Sequence, residues 1–190
     1  MDTELMQEDP IRETGKKDTL YEFFATFELL AFAAAVVLLF FSFIARITVV
    51  DGGSMEETLI HGDKLIVSDL FYTPSRGDIV IVQSPTVNGG EAIVKRVIAV
   101  EGDTVMIRED GIYVNGERLN ETDGSLGYTI GKYSYHSMPE QLIKEGNIFL
   151  LGDHRSVSYD SRSFGQVDAD AVLGKVLFRI SPLSKFGTVN

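Results

Sequence analysis

The sequence predicts a mostly β protein that begins with one membrane-spanning helix, and three observations support this prediction. Residues 29–45 form an uncharged apolar run, which is near the lower limit of length for a helix that crosses a bilayer. After Arg46 the pattern changes to short β-rich runs. Turn-forming pairs rich in glycine, asparagine and aspartate separate these runs. We therefore expect an N-terminal transmembrane helix followed by an all-β domain with partly closed sheets.

The apolar run has two other interpretations. A core helix of a soluble domain is disfavoured, because such a helix is rarely apolar on every face in a domain of this size. A cleavable secretory signal is disfavoured, because Phe43 stands where a small residue belongs, two positions before Ala45, and because the preceding segment is acidic. We predict a retained anchor over residues 21–45, with Glu22 and Glu28 near the interface.

Positive charges on the two sides of the anchor predict its orientation. They are Arg12, Lys16 and Lys17 before the span, and Arg46 and Lys64 after it. This small excess favours a cytoplasmic N-terminal segment, residues 1–20. The β-rich domain, residues 46–190, is then extracytoplasmic, and the protein is expected to be a single-pass protein of the cell membrane with the lipid bilayer as a partner.

Eight runs of the C-terminal domain are predicted to be strands. They cover residues 47–50, 64–67, 78–82, 92–100, 104–107, 112–114, 148–151 and 172–180. Short strands at this nearly regular spacing are typical of meandering antiparallel sheets. The polar stretch 120–145, which contains Tyr128, Tyr133 and Tyr135, is predicted to be a long loop or insertion.

Composition excludes several classes of function. The formal net charge is −11, which argues against nucleic acid as a partner because phosphate binding needs clustered lysine and arginine. The chain has no cysteine, so a disulfide scaffold, a thiol nucleophile and a cysteine-ligated zinc are excluded. The histidines, His61, His136 and His154, show no spacing typical of metal ligands.

A candidate nucleophile is Ser54, which follows two glycines at the end of a predicted strand. Gly52 and Gly53 let the backbone turn tightly and expose the serine and its N–H to a substrate carbonyl. A plain turn with a solvated serine fits this motif about equally well.

A candidate general base is Lys95. Strand alternation places it on one face with Ile93 and Val97. A lysine between apolar neighbours loses solvent, which favours the neutral amine, and a neutral amine can accept a proton from a serine. Taken alone, a lysine that reaches water at the edge of a sheet is the commoner case.

The third candidate segment is 151–165, which is dense in short polar side chains and in opposite charges. Internal hydrogen bonds and ion pairs can fix the shape of such a loop. A surface loop whose polar groups are all satisfied, with no catalytic role, fits the same composition. His154 lies in this segment and could act as the base of a triad, but the spacing does not assemble a Ser-His-Asp arrangement.

These three segments, in this order after an anchor, resemble the signature boxes of bacterial type I signal peptidases of the Gram-positive type. Residues 52–59 match the nucleophile box, residues 95–103 the lysine box and residues 152–165 the last box. Residues 76–80 resemble the strand after the nucleophile, and the resemblance covers about residues 20–182. The departures are Glu57 and Glu101 in place of prolines, Ala99 in place of glycine, and His154 in place of asparagine.

The resemblance implies a signal-peptidase-like catalytic domain and a role for each matched residue. Ser54 is the implied nucleophile, Lys95 the base and Ser158 the residue that orients the lysine. The implied structural ion pairs are Arg96 with Asp153 and Arg162 with Asp160. Val50, Met55, Leu59 and Val94 are candidates to line substrate pockets for small side chains. The implied substrates are secretory precursors with Ala-x-Ala sites, and no metal or organic cofactor is implied.

Two alternative functions remain open at this stage. Self-cleaving repressors of the DNA-damage response use the same serine–lysine chemistry, but they lack a membrane span. A catalytically silent, membrane-tethered β-domain that binds exported chains would have no use for a desolvated lysine. The apolar run argues against the first alternative, and Ser54, Lys95 and Ser158 argue against the second.

Overall fold

The computed structural model describes residues 11–121 and 137–189, with side chains described throughout except at 11–19 and 40–44. The chain divides between Phe43 and Ile44 into two compact units. The described part of the first unit belongs to one long helix, and the second unit holds the β-rich domain.

The N-terminal helix, α1, spans Ile11–Ile44. Its segment Leu20–Leu39 is long and apolar enough to cross a membrane, and none of that segment is buried by the rest of the protein. At 1.5 Å per residue such a segment is about 30 Å long, which matches the hydrocarbon core of a bilayer. The predicted apolar helix is confirmed. The helix begins at Ile11, ten residues before the predicted start at position 21, and its first turn includes the good helix formers Arg12 and Glu13.

The described part of the second unit contains twelve strands and one short α-helix. The strands are β1 (Arg46–Val49), β2 (Lys64–Ser68), β3 (Ile79–Val82), β4 (Ile93–Val100), β5 (Thr104–Arg108), β6 (Gly111–Val114), β7 (Glu117–Arg118), β8 (Met138–Leu142), β9 (Asn147–Leu151), β10 (Val167–Asp168), β11 (Val172–Ser181) and β12 (Gly187–Thr188). The helix α2 spans Ser161–Phe164.

The strands form two antiparallel sheets. The larger sheet has the order β1-β2-β11-β3-β4-β9-β10, and β12 pairs with β11 at its side. The smaller sheet has the order β7-β6-β5-β8. Asn115 and Gly116 both have positive φ in the turn between β6 and β7, as a two-residue hairpin requires. This mostly β architecture confirms the predicted fold class.

The larger sheet is buried on both faces near its middle. Ile79 and Ile81 of β3 pack into a core cluster with Leu65 of β2, whereas Val80 and Val82 point to the opposite face and join a different cluster. Successive side chains of a strand point to opposite faces, so the four-residue apolar run of β3 serves both clusters. The middle of this sheet, including β4, is therefore largely shielded from water.

All eight predicted strands are present, with bounds within one residue of the prediction at each end. The prediction for residues 120–145 was wrong in part, because Met138–Leu142 is a strand that pairs with β5. It lies at the edge of the smaller sheet, where a proline, here Pro139, is tolerated and few side chains are buried. Residues 122–136, including Tyr128, Tyr133 and Tyr135, lie outside the described residues.

Candidate active site

Ser54 lies in a tight loop that follows β1 and leads the chain back to β2. Two backbone hydrogen bonds of 2.9 Å close the base of this loop, one from Val50 N to Asp63 O and one from Gly62 N to Val50 O. Gly52 has a φ of 87°, a left-handed conformation that favours glycine. The loop holds Ser54 in a half-buried position.

Lys95 reaches Ser54 from β4, in the middle of the larger sheet. Its partner in the ladder is Val80 of β3, and the lysine side chain is only 3% exposed. Lys95 Nζ lies 2.7 Å from Ser54 Oγ and donates a 3.0 Å hydrogen bond to Val94 O. The fold therefore brings a hydroxyl and an amine that are 41 positions apart in the chain into hydrogen-bond contact.

The environment of Lys95 favours its neutral form. Burial lowers the pKa of the Lys95 amine from 10.5 to about 8, because the charged form loses solvent. The carboxylates of Asp160 and Asp153 act in the opposite direction, since negative charges favour the ammonium form. An amine with a pKa of about 8 is partly neutral at neutral pH and can accept a proton from a hydroxyl within hydrogen-bond distance.

The segment 152–160 packs against the backbone of Ser54. His154 N donates a 3.1 Å hydrogen bond to Ser54 O. Gly152 comes so close that a Cβ there would overlap both Ser54 O and the Ser158 hydroxyl. Ser158 Oγ is buried and has no hydrogen-bond partner among the described residues. The structure therefore brings Ser158 beside this part of the site, and its role in orienting Lys95 stays a prediction.

Two ion pairs fix the same segment. Arg96 Nε and Nη2 donate to the two carboxylate oxygens of Asp153 at 2.9 and 2.7 Å, and both side chains are fully buried. Arg162 donates two 2.8 Å hydrogen bonds to Asp160, whose Oδ2 also accepts from Gly152 N at 3.1 Å. Asp153 therefore joins the segment to β4, and Asp160 joins two ends of the segment to each other.

The four candidate pocket residues lie in or beside one core cluster. Val50, Met55 and Leu59 are 3%, 1% and 0% exposed, and Val94 is half-buried against the same cluster. Val94 is thus the most accessible of the four. Their contact with a substrate stays a prediction.

Two departures from the family pattern have local structural effects. Glu57 has a φ of 85°, which proline cannot adopt because its ring holds φ near about −65°. His154 Nδ1 lies 3.2 Å from Gly53 O and 3.2 Å from Glu56 Oε2. The histidine therefore contacts the nucleophile loop, but its described contacts are with backbone and carboxylate oxygens of that loop.

Sequence reasoning missed several polar contacts that support the site. Thr58 Oγ1 donates a 2.5 Å hydrogen bond to Asp153 Oδ2. Arg179 Nη1 of β11 donates to Asp63 Oδ2 at 2.8 Å and to Thr58 O at 3.0 Å. Arg155 and Glu121 form a further buried ion pair. The partners in these contacts are between 34 and 121 positions apart, and no local sequence pattern predicts contacts over such distances.

Within residues 11–121 and 137–189, no group of three or more histidine, cysteine, aspartate or glutamate side chains is arranged to hold a metal ion.

Comparison with known proteins defines the class. Residues 23–181 match the family described as signal peptidase, peptidase S26. Signal peptidase IB of Staphylococcus aureus strain Mu50 is 34% identical over 175 residues, which cover 83% of this chain and 90% of that protein. A probable signal peptidase I-1 of Synechocystis is 33% identical over 168 residues, which cover 84% of this chain and 83% of that protein. The crystal structure of a signal peptidase I from Enterococcus faecalis V583 is 32% identical, with a TM-score of 0.45, covering 55% of this chain and 97% of that one.

The chain belongs to the signal peptidase family, peptidase S26, and is a peptidase of the signal peptidase I class.

Proposed function

We propose that this chain removes signal peptides from secretory precursors with Ser54 as nucleophile and Lys95 as general base. The observation that carries the proposal is the 2.7 Å contact between Lys95 Nζ and Ser54 Oγ, made by a lysine that is 3% exposed. A lysine this buried, with its pKa lowered to about 8, can be neutral when the substrate arrives.

The proposed reaction proceeds in two halves. The Ser54 hydroxyl gives its proton to Lys95 Nζ as its oxygen bonds to the scissile carbonyl carbon. The carbon–nitrogen bond then breaks, and Lys95 returns the proton to the leaving amine, which is the new N-terminus of the mature protein. In the second half, Lys95 takes a proton from water as the water oxygen bonds to the acyl carbon, the bond from that carbon to Ser54 Oγ breaks, and Lys95 returns the proton to Ser54 Oγ. The backbone N–H of Ser54 is proposed to stabilise the carbonyl oxygen as its negative charge develops.

The proposed substrate preference is for small side chains at the Ala-x-Ala positions before the cut. Val50, Met55 and Leu59 are close-packed around the nucleophile loop, and Val94 precedes the base directly. Val94, the one half-buried member of the four, is proposed to line the pocket, with the buried Val50, Met55 and Leu59 packed behind it. Ser158 is proposed to hold the lysine amine in line for proton transfer.

The proposed membrane arrangement follows the charges around the apolar helix. Residues 1–20 are cytoplasmic, residues 21–45 form the anchor and residues 46–190 form the extracytoplasmic peptidase domain. The helix segment Leu20–Leu39 supports the anchor by its length and apolar composition. In this arrangement the peptidase domain acts where precursors emerge from the membrane.

The test is cleavage of a precursor with an Ala-x-Ala site by the detergent-solubilised full chain. Ser54→Ala and Lys95→Ala should each abolish cleavage, and the double variant should be little worse than either single variant, since the two residues act as a unit. Ser156→Ala and Lys64→Ala change the same residue types at exposed positions and should retain activity. The cut should map directly after the second alanine by mass spectrometry.

Substantial turnover by Ser54→Ala would refute the assignment of the nucleophile. Binding of the precursor by the unaltered chain without any cleavage would instead support a catalytically silent domain.

A further inference from the structure

A buried ion pair joins the active-site segment to the chain that leaves the smaller sheet. Arg155 Nη1 and Nη2 donate to the two carboxylate oxygens of Glu121 at 2.6 Å each. Arg155 is 2% exposed and Glu121 is 4% exposed. Glu121 lies three residues beyond β7 (Glu117–Arg118), outside all three of the segments that resemble signature boxes. Two short, parallel hydrogen bonds between planar groups fix the orientation of both groups as well as their distance.

The same guanidinium continues toward the nucleophile. Arg155 Nε donates a 2.8 Å hydrogen bond to Gly152 O. Gly152 is the residue at which an added Cβ would overlap Ser54 O and the Ser158 hydroxyl. A displacement of Gly152 therefore moves atoms that contact the nucleophile's own backbone. The contacts form a continuous chain from Glu121 through Arg155 and Gly152 to Ser54.

The segment is held from two directions. Asp153 is bound by Arg96 of β4, which belongs to the larger sheet. Arg155, two positions later, is bound by Glu121, which follows the last hairpin of the smaller sheet. The larger sheet thus contributes one buried charge to a stretch of three residues, and the chain that follows the smaller sheet contributes another. Loss of the Arg155–Glu121 pair removes the ion pair between this stretch and the chain that follows the smaller sheet.

We infer that Glu121 is a positioning residue for the peptidase reaction, acting through Arg155 to hold Gly152 against Ser54. The inference rests on the proposed roles of Ser54 and Lys95. Glu121 touches neither of them, and its effect is to set the position of the backbone that packs on the nucleophile.

A role in positioning and a role in stability make different predictions. Buried ion pairs are weak evidence for stability, because apolar replacements of both partners are often as stable as the pair. A misplacement of reacting groups by about 1 Å can cost about a hundredfold in rate. Glu121 is not among the charges that shift the pKa of Lys95, which are Asp160 and Asp153. Its loss should therefore lower kcat without moving the pH at which the base titrates.

The experiment compares Glu121→Gln with Glu117→Gln in the detergent-solubilised full chain, using cleavage of a precursor with an Ala-x-Ala site. Glu117 is an exposed glutamate of β7, so its variant controls for loss of one carboxylate nearby. Glu121→Gln should lower kcat between about tenfold and about a hundredfold, with KM within about twofold. The acid limb of kcat/KM should stay in place, and Glu121→Asp should recover part of the rate because it restores the charge.

A second variant keeps the test decisive if Glu121→Gln fails to fold. Glu121→Leu combined with Arg155→Met replaces both buried charges by apolar side chains and removes the hydrogen bond to Gly152 O. This double variant should unfold at a temperature near that of the unaltered chain and should still lose kcat. A kcat equal to that of the unaltered chain in a folded Glu121 variant would overturn the inference.

Ser54→Ala separates this inference from the proposed function. If Ser54→Ala is inactive while folded Glu121→Gln turns over like the unaltered chain, only the inference about Glu121 fails. If Ser54→Ala is as active as the unaltered chain, the proposed nucleophile and the positioning role fail together.

Discussion

Arg96 and Asp153 form an ion pair with two hydrogen bonds, in which neither side chain has any exposed surface. The neighbouring residue on β4, Lys95, is almost equally buried but contacts a hydroxyl and a carbonyl at its amine. A guanidinium cannot lose its proton in a protein and needs the carboxylate, whereas an amine can become neutral. Burial of Arg96 is thus compensated by an ion pair, whereas burial of Lys95 favours the neutral amine.

The first prediction concerns the stability of this pair. Asp153→Asn should lower the free energy of unfolding by about 3–5 kcal/mol, because it removes the carboxylate that accepts two hydrogen bonds from the buried Arg96 guanidinium. The matched change is Asp69→Asn in the exposed pair with Arg46, whose side chains are 46% and 63% exposed. That change should cost less than about 1 kcal/mol. Denaturant unfolding followed by circular dichroism measures both, and equal effects would contradict the distinction.

The second prediction concerns pH. Burial lowers the pKa of Lys95 to about 8, and only the neutral amine can act as the base. Protonation below that pH removes the base, so kcat/KM should rise with pH through about 8 and level off above it. A pH–rate profile with a short Ala-x-Ala peptide gives the measurement. A rate that falls steadily between about pH 6 and 9 is incompatible with Lys95 as the base.

The third prediction compares two candidate bases. Lys95→Arg should be nearly as inactive as Lys95→Ala, since the guanidinium holds its proton throughout the working range. His154→Ala should retain activity within about tenfold, because the His154 ring contacts Gly53 O and Glu56 while Lys95 contacts the hydroxyl. Steady-state cleavage of a precursor separates the two. The reverse ranking would make His154 the base.

The fourth prediction concerns the unpartnered hydroxyl of Ser158. Ser158→Ala should lower kcat while moving the acid limb of the pH profile little, if the serine orients the amine. Because no described residue hydrogen-bonds this buried hydroxyl, its removal should not lower stability. Ser161→Ala is the contrasting control, since Ser161 Oγ accepts a 2.9 Å bond from Leu150 N, and its loss should cost about 1–3 kcal/mol. Unchanged kcat in Ser158→Ala would exclude the orienting role.

The fifth prediction concerns the anchor. A chain lacking residues 1–45 should remain folded and cut a short peptide, because Ser54, Lys95 and Ser158 all lie in the second compact unit. It should cut membrane-inserted precursors more slowly than the full chain, since tethering to the same bilayer raises the effective concentration. Parallel assays with the peptide in solution and a precursor in vesicles measure, for each chain, the ratio of the precursor rate to the peptide rate. Equal ratios for both chains would show that the helix does not contribute to the encounter.

Much of the fold could be predicted because its strands are bounded by strong turn signals. Asn115-Gly116 marks a hairpin, and the apolar run of β3 marks a strand covered on both faces. The missed strands have no such signals. β7, β10 and β12 have two residues each, which is too short for a period of two to appear, and β8 is an exposed edge strand.

The contacts of the site that could be predicted are the Ser54–Lys95 pair and the ion pairs Arg96–Asp153 and Arg162–Asp160, and only because three segments together resemble a known family. Spacing along the chain gives no distance between Ser54 and Lys95, because β2, β11 and β3 lie between β1 and β4 in the larger sheet. The Arg155–Glu121 pair could not be predicted, because a carboxylate and a guanidinium 34 positions apart resemble any two surface charges until the fold buries them.

Gly152 also has a consequence for how copies of this gene can diverge. It lies so close to Ser54 that the methyl group of an alanine there would overlap the Ser54 carbonyl oxygen and the Ser158 side chain. A duplicated copy could therefore keep its serine and its lysine and still decay through a single methyl group at this position. When genomes are searched for active enzymes of this kind, glycine at the position equivalent to 152 is a sign of catalytic activity that does not depend on the serine and the lysine.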